Sequence, residues 1–293
     1  MKVLIFGGAG LVGSRFIELH EHNLDIKSPD IDETDILNID EVETIVKSFR
    51  PDMVINFAAY TDVQGAEEQK DDKSGSCYQI NVVGAKNVAE VCRQNTIHLI
   101  HISTDYVFDG QREIAPYTEE DSPNPQNWYG QTKHWGEEEV LKSRRSTIVR
   151  IAMPFSAHYA VKQDIARFFL DQLKNNQGIH AITDQKITPV LVDDVANALF
   201  RLIQGENLGI YHVVVTDWTT PFDLATLIAM IFSLDETLIK PVTLDEYNKN
   251  KKAKLLRYSW LDSSKVVAEF GDNILHTVEE SIQLFKKQVD QLG

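Results

Sequence analysis

Tyr129 and Lys133 stand four residues apart in Tyr129-Gly130-Gln131-Thr132-Lys133. On a helix this spacing puts both side chains on one face. An ammonium beside a phenol favours the phenolate and lowers a group that ordinarily titrates near pH ~10, so Tyr129 could exchange a proton with a substrate near neutral pH. The same lysine can hydrogen-bond a cofactor ribose. Spacing alone decides little, because Tyr247 and Lys251 repeat it in a Lys/Asn-rich stretch that reads as solvated surface. The first pair differs in its company. An apolar run at 99–102 leads into Ser103-Thr104-Asp105, and a hydroxyl just past the end of a central strand sits where a substrate carbonyl would lie. Thr104 can donate to that oxygen while Tyr129 protonates it. Ser103 and Thr104 equally suit ordinary loop capping.

A second set of residues speaks of a cofactor. Lys2-Val3-Leu4-Ile5-Phe6 runs directly into Gly7-Gly8-Ala9-Gly10-Leu11-Val12-Gly13. Glycines at 7, 10 and 13 let a strand turn sharply into a helix and leave no side chain in the way of a pyrophosphate. A helix starting near Leu11 would aim its free N–H groups and positive dipole end at that phosphate, which places Gly7, Gly10, Leu11, Val12 and Gly13 at a dinucleotide. Asp25, in a short second strand, is a candidate acceptor for a ribose 2′-hydroxyl and favours NAD, whereas Lys27 and Lys2 favour a 2′-phosphate. The cofactor expectation is therefore NAD(P)H.

These groups need a scaffold, and short apolar runs alternate with helical patterns through the first half. Strands are expected at 3–6, 24–26, 53–57, 99–102 and 147–151, with helices at 11–20, 39–49, 81–94 and 127–141. Such alternation predicts an α/β fold of Rossmann type, a doubly wound parallel sheet covered on both faces. Beyond residue 150 the rhythm loosens to helices at 190–203, 220–232 and 277–292, a strand at 210–215 and a basic surface stretch at 249–254. The expected organisation is a nucleotide-binding domain over 1–150 and a smaller C-terminal substrate-binding region over 151–293, part of which (about 188–215) returns to the Rossmann sheet.

Composition narrows the class. The chain has 293 residues and a formal net charge of −15, which disfavours nucleic acid or an anionic membrane as a partner. Two cysteines, Cys77 and Cys92, offer no disulfide framework and fit a reducing compartment. Glycines interrupt the N-terminal apolar run, so it does not read as a secretory leader, and no stretch approaches the ~20 apolar residues of a membrane helix. A cytoplasmic protein is expected. Metal readings are poor: His20 and His22 face different ways on an expected exposed helix end, and His98 and His101 point to opposite faces of their strand. Glu137-Glu138-Glu139 reads as a solvated helix face.

Gly7-x-x-Gly10-x-x-Gly13, Asn56-Phe57-Ala58-Ala59, Asn81, Ser103-Thr104-Asp105 and Tyr129-x-x-x-Lys133 together resemble the extended short-chain dehydrogenase/reductase superfamily. More narrowly, Ala58-Ala59-Tyr60-Thr61-Asp62-Val63, Ser103-Thr104-Asp105-Tyr106-Val107-Phe108-Asp109-Gly110 and Tyr129-Gly130-Gln131-Thr132-Lys133 before Gly136-Glu137 resemble the dTDP-4-dehydrorhamnose reductase family, closely over about 1–150 and thinly thereafter. The resemblance implies Thr104, Tyr129 and Lys133 as the catalytic trio. It also implies Ala58, Ala59 and Tyr60 as cofactor lining, Asn81 as a support, and Asp105 and Arg257 on the substrate. The implied reaction is reduction of a 4-keto group on a nucleotide-linked deoxysugar, and a homodimer is compatible with it. Two other readings share the motifs: an epimerase or dehydratase of the superfamily, and a non-catalytic NADP-binding regulatory subunit of a methionine adenosyltransferase. Substrate-side positions depart from the family pattern at Arg150-Ile151-Ala152-Met153-Pro154-Phe155, Lys186-Ile187-Thr188-Pro189 and Arg257-Tyr258.

Overall fold

A computed structural model describes residues 1–158, 161–205 and 207–292. Two compact units are present: Met1–Asp109 with Ser122–Arg150 and Leu199–Tyr211, and Gly110–Asp121 with Ile151–Ala198 and His212–Gly293.

The first unit is built on a six-stranded sheet. In chain order its strands are β1 (Lys2–Phe6), β2 (Asp25–Lys27), β3 (Met53–Asn56), β4 (His98–Thr104), β5 (Ser146–Ile151) and β8 (Gly209–His212), arranged in the sheet as β2-β1-β3-β4-β5-β8. The pairs β1/β2, β1/β3 and β3/β4 are parallel, with Phe6, Asn56 and His101 in register. Val3, Leu4, Ile5 and Phe6 are all buried, as a strand covered on both faces requires. Because β2 lies on one side of β1 and β3 on the other, the winding direction reverses there. That opens a crevice beyond the carboxyl ends of the strands.

Helices α1 (Leu11–His20), α2 (Ile39–Phe49), α5 (Ala85–Gln94) and α6 (Trp128–Val140) belong to this unit. Helix α2 shows why they form where they do. The Asn38 side chain accepts from the Asp40 N–H, acids occupy the first turn, and Arg50 closes the helix at φ 52°. Its apolar stripe, Val42, Ile45 and Val46, packs with Val88, Val91 and Leu99 in one core. On α1, His20 is buried and stacks on Phe200 at 4.3 Å, which corrects the expectation of an exposed helix end. The helix expected at 81–94 begins earlier, as α4 (Ser76–Tyr78), and passes through a π-helical stretch at Gln79–Gly84 before α5. Helix α3 (Val63–Glu68), capped by Asp62, was not foreseen.

The second unit holds two short parallel pairs, β6 (Ile179–Ile182) with β9 (Ile239–Val242) and β7 (Lys186–Ile187) with β10 (Tyr258–Ser259). Helices α7 (Ile165–Lys174), α9 (Pro221–Phe232) and α12 (Val278–Leu292) enclose its core. There Phe169, Leu173, Leu224, Ile228, Ile282 and Phe285 are buried together. Among the described residues no helix is long and apolar enough to cross a membrane, and no group of three His, Cys, Asp or Glu side chains is placed to hold a metal ion.

Candidate active site

Strands β1, β3 and β4 end at one edge of the sheet, and the functional candidates of the first unit gather there. Gly7 leaves β1 at φ +75°, and a side chain on it would put a Cβ 2.5 Å from the Ala58 backbone nitrogen. A Cβ on Gly13 would lie 2.7 Å from the Gly7 carbonyl. Only glycine serves at both places. The Gly10 N–H donates to the Gly7 carbonyl at 3.1 Å, and α1 starts at the next residue. The first N–H groups of that helix, on Leu11, Val12 and Gly13, have no carbonyl of their own helix to bond. The turn is thus a bare backbone cradle at a helix N-terminus, and it fits a dinucleotide pyrophosphate. Ala58 backs the turn, and the Ala58 N–H donates to Asn56 Oδ1 at 3.1 Å. Tyr60 is fixed by Asn81, which accepts from the Tyr60 N–H at 2.8 Å and donates to its carbonyl at 3.2 Å. Ala59 lies between these anchored residues.

Helix α6 delivers the tyrosine and lysine. Asn127 caps it, accepting from the Gly130 N–H at 2.8 Å. Asn81 Nδ2 also donates to Thr132 Oγ1 at 3.0 Å, tying α6 to the segment that carries Tyr60. Tyr129 is buried and hydrogen-bonded with Thr104, the last residue of β4. Thr104 donates to Asp105 Oδ1 at 3.0 Å and accepts from the Tyr106 N–H at 3.3 Å. It therefore both caps the following turn and meets Tyr129. Tyr106 packs edge-on against the Tyr129 ring, with centroids 5.7 Å apart.

Lys133 is 1% exposed. Its Nζ donates to the Ile102 carbonyl at 2.7 Å and lies 3.2 Å from His101 Nε2. This corrects the sequence expectation of an ammonium drawing the tyrosine down. Burial pushes the Tyr129 phenol above its ordinary range, and the Thr104 hydrogen bond opposes that only in part. Burial also pushes Lys133 down to about 8, against the nearby carboxylate of Glu137 and the Cys77 thiol. A charge that is costly to bury disfavours both ions at once.

Glu137 is likewise not the solvated residue expected. It is 1% exposed and receives Arg150 Nε at 2.9 Å and Nη2 at 2.7 Å. Burial disfavours its charge, but the paired guanidinium prevails and holds the carboxyl down to about 2.

The family described as "RmlD substrate binding domain" matches residues 1–290. This chain belongs to the RmlD family. It is 31% identical over 284 residues to a dTDP-4-dehydrorhamnose reductase of Aggregatibacter actinomycetemcomitans, covering 92% of this chain and 93% of that one. It is 29% identical over 257 residues to methionine adenosyltransferase 2 subunit beta of Mus musculus, covering 83% and 75%. Among solved structures, a dTDP-4-dehydrorhamnose reductase of Bacillus anthracis in complex with NADP superposes with a TM-score of 0.89 at 29% identity, covering 98% of this chain and 99% of that one.

Against this RmlD-family frame one cofactor candidate moves. Asp25 opens β2 opposite Lys2, at the amino end of β1, and five residues of strand, about 16 Å, separate Lys2 from Gly7. Neither Asp25 nor Lys2 reaches a ribose held at the carboxyl edge. The residues leaving β2 are Lys27 and Ser28, and a Cβ on Gly8 would lie 3.1 Å from the Ser28 Cβ. Arg257, in the second unit, forms ion pairs with Asp184 and, at 2.8 Å, with Asp245. Phe155, in the stretch that departs from the family pattern, is buried edge-on against Phe285 at 5.7 Å. Sequence reasoning assigned no supporting role to Asn56 or Cys77. Asn56 was legible only as part of a motif, and Cys77, 3.3 Å from Thr132 Oγ1, carried no signal at all.

Proposed function

We propose that this RmlD-family chain reduces the 4-keto group of a nucleotide-linked deoxysugar with NAD(P)H, in the cytoplasm. The observation that carries the reading is the hydrogen-bonded Thr104–Tyr129 pair on the sheet edge that also holds the glycine turn. Gly7, Gly10, Leu11, Val12 and Gly13 would receive the pyrophosphate, Ala58, Ala59 and Tyr60 would line the nucleotide, and Tyr129 with Lys133 would meet the nicotinamide ribose. When bound, the dihydronicotinamide supplies a hydride to the carbonyl carbon. Tyr129 gives its hydroxyl proton to the carbonyl oxygen, and Thr104 orients that oxygen. The raised phenol suits this role, since it stays protonated until negative charge develops on the substrate. Asp105 and Arg257 are assigned to the sugar nucleotide, the 151–293 region chiefly to the substrate, and the assembly to a homodimer. Lys27 and Ser28 at the exit of β2 favour a 2′-phosphate, hence NADPH.

Incubation with a dTDP-4-keto-6-deoxy sugar tests the reading. Loss of dihydronicotinamide absorbance in step with appearance of the 4-hydroxy sugar supports it, with a lower KM for NADPH than for NADH. No oxidation with any 4-keto sugar nucleotide overturns it. The likeness to a methionine adenosyltransferase beta subunit favours a second reading, dinucleotide binding without turnover. Robust turnover excludes that reading. An epimerase or dehydratase would return the dinucleotide unchanged after each cycle, and a dehydratase is expected to carry a second acid where Tyr106 follows Asp105.

A further inference from the structure

Helix α9 buries Leu224 and Ile228 in the core of the second unit. On a neighbouring stripe it carries Asp223, Leu227 and Met230, spaced i, i+4 and i+7. With Asp217, Trp218 and Glu279 these line a groove of about 320 Å³, near the lower end of the range for ligand sites. Trp218 is 45% and Met230 60% exposed, so the groove presents large apolar groups to water. The indole is held in place. Lys186 Nζ lies 4.8 Å from its ring centre, and Trp260 meets it edge-on at 5.8 Å while donating from Nε1 to the Arg112 carbonyl at 2.9 Å. The carboxylates meet only neutral donors among the described residues: the Val278 N–H at Asp217, the Thr220 hydroxyl at Asp223 and the Gln283 amide at Glu279. An anion is repelled from such a groove, and a purely apolar ligand would strip water from three carboxylates without offering them a partner. The groove fits a surface that combines a ring with ammonium groups.

This chain carries such a surface. Residues 249–254 hold four lysines in a chain whose net charge is −15. They follow α10 (Leu244–Asn248), on which Tyr247 is 38% exposed with Lys251 Nζ 5.1 Å from its ring centre. The stretch is braced at its root. Asn248 accepts from the Leu255 N–H at 2.9 Å and donates to the Leu255 carbonyl at 3.0 Å, and the Lys251 N–H donates to the Asn248 carbonyl at 3.1 Å. Among the described residues neither Lys249 nor Lys251 pairs with a carboxylate of its own chain.

We propose that the groove seats the 247–251 segment of a second copy of this chain, Tyr247 against Trp218 and Met230, and Lys249 and Lys251 against Asp217, Asp223 and Glu279. The inference rests on the reading of the assembly as a homodimer and names the surface that makes it. Each copy carries both halves, so the contact forms twice about a two-fold axis. Anchored aromatic rings supply the apolar centre of the contact, and little ordering is needed because both sides are already braced. The opposite charges fix the register and make the association sensitive to salt.

Sedimentation equilibrium of the full chain tests this with wild type, a groove variant (Asp223→Lys with Glu279→Lys) and a loop variant (Lys249→Glu with Lys251→Glu). Wild type is expected to dimerise, with a Kd that rises about tenfold or more between about 0.1 M and about 1 M NaCl. Each variant alone sets like charges face to face and should dimerise about tenfold or more weakly than wild type. An equimolar mixture of the two pairs the lysine groove with the glutamate loop and the native groove with the native loop. It should recover the wild-type affinity, a rescue that damaged folding does not produce. A dimer that both variants keep at full strength, or a mixture that stays monomeric, overturns the proposal and leaves the homodimer reading standing on another surface. A wild type that is monomeric throughout overturns both. If a variant does not fold, carbodiimide coupling of mixed isotopically light and heavy wild type decides. Amide links from Lys249 or Lys251 of one copy to Asp223 or Glu279 of the other are expected, and coupled dimers without them overturn the proposal. None of these measurements needs turnover, so they are independent of whether a keto sugar nucleotide is reduced.

Discussion

Glu137 and Arg150 bear on the site without touching a substrate. Each is about 1% exposed, and the two are joined by a two-pronged ion pair. Removing one partner leaves an uncompensated buried charge, which typically costs about 3–5 kcal/mol. Arg150→Met should therefore lower unfolding free energy by that order in urea titrations at neutral pH. The pair also sets an acid limit. The folded carboxyl lies below its unfolded value of about 4.3, so its contribution is complete above that value. It is lost as the pH falls through the folded value, about 2. Wild-type stability should decline across that window, and Arg150→Met should show a shallower decline. A variant as stable as wild type with the same acid slope would contradict the pairing. Nothing in Glu137-Glu138-Glu139 marks the first acid as buried, because its partner lies 13 residues away, off the helix and on strand β5. His20 was misread for the same reason, since Phe200 decides its burial.

At the scale of elements, the turn between β1 and α1 is the most constrained feature. Gly7 at φ +75° abuts Ala58 N. Gly7→Ala would combine a left-handed backbone, costing roughly 1–2 kcal/mol, with a steric overlap. Dinucleotide affinity measured by calorimetry should drop more than tenfold; unchanged affinity would remove the turn from the binding site. Elements of this kind were legible because their signals are local. The runs at 3–6, 53–57 and 99–102 are apolar on both faces apart from Asn56 and His101, and the glycines follow the first run at fixed offsets. The second unit's strands were not. Lys186–Ile187 and Tyr258–Ser259 are two residues long, too short to show alternation, and they form only because distant chain segments pair. Helix Ile165–Lys174 carries an apolar stripe, Ile165, Phe169 and Leu173, behind an Asp164 cap, but it stands alone between irregular stretches with no legible strand pattern beside it to mark a repeating unit.

For the molecule as a whole, every residue assigned to the dinucleotide belongs to the first unit. A ligand that binds only the folded state stabilises it by about 2.7 kcal/mol at a hundredfold excess over its Kd. For a unit of this size that is a rise in melting temperature of several degrees. Differential scanning fluorimetry with NADPH should show it, and a melt indifferent to saturating NADPH and NADH would contradict dinucleotide binding. The net charge of −15 poses no obstacle to this proposal, because the glycine turn would receive phosphate through backbone N–H groups rather than through side-chain cations.

The central claim, proton delivery by Tyr129, is tested most directly by single-turnover reduction of a dTDP-4-keto-6-deoxy sugar by wild type and Tyr129→Phe, with dinucleotide Kd measured alongside. The expected result is a rate lowered about 10²-fold or more in the variant with Kd nearly unchanged. A Tyr129→Phe protein that reduces the sugar at close to the wild-type rate would contradict it.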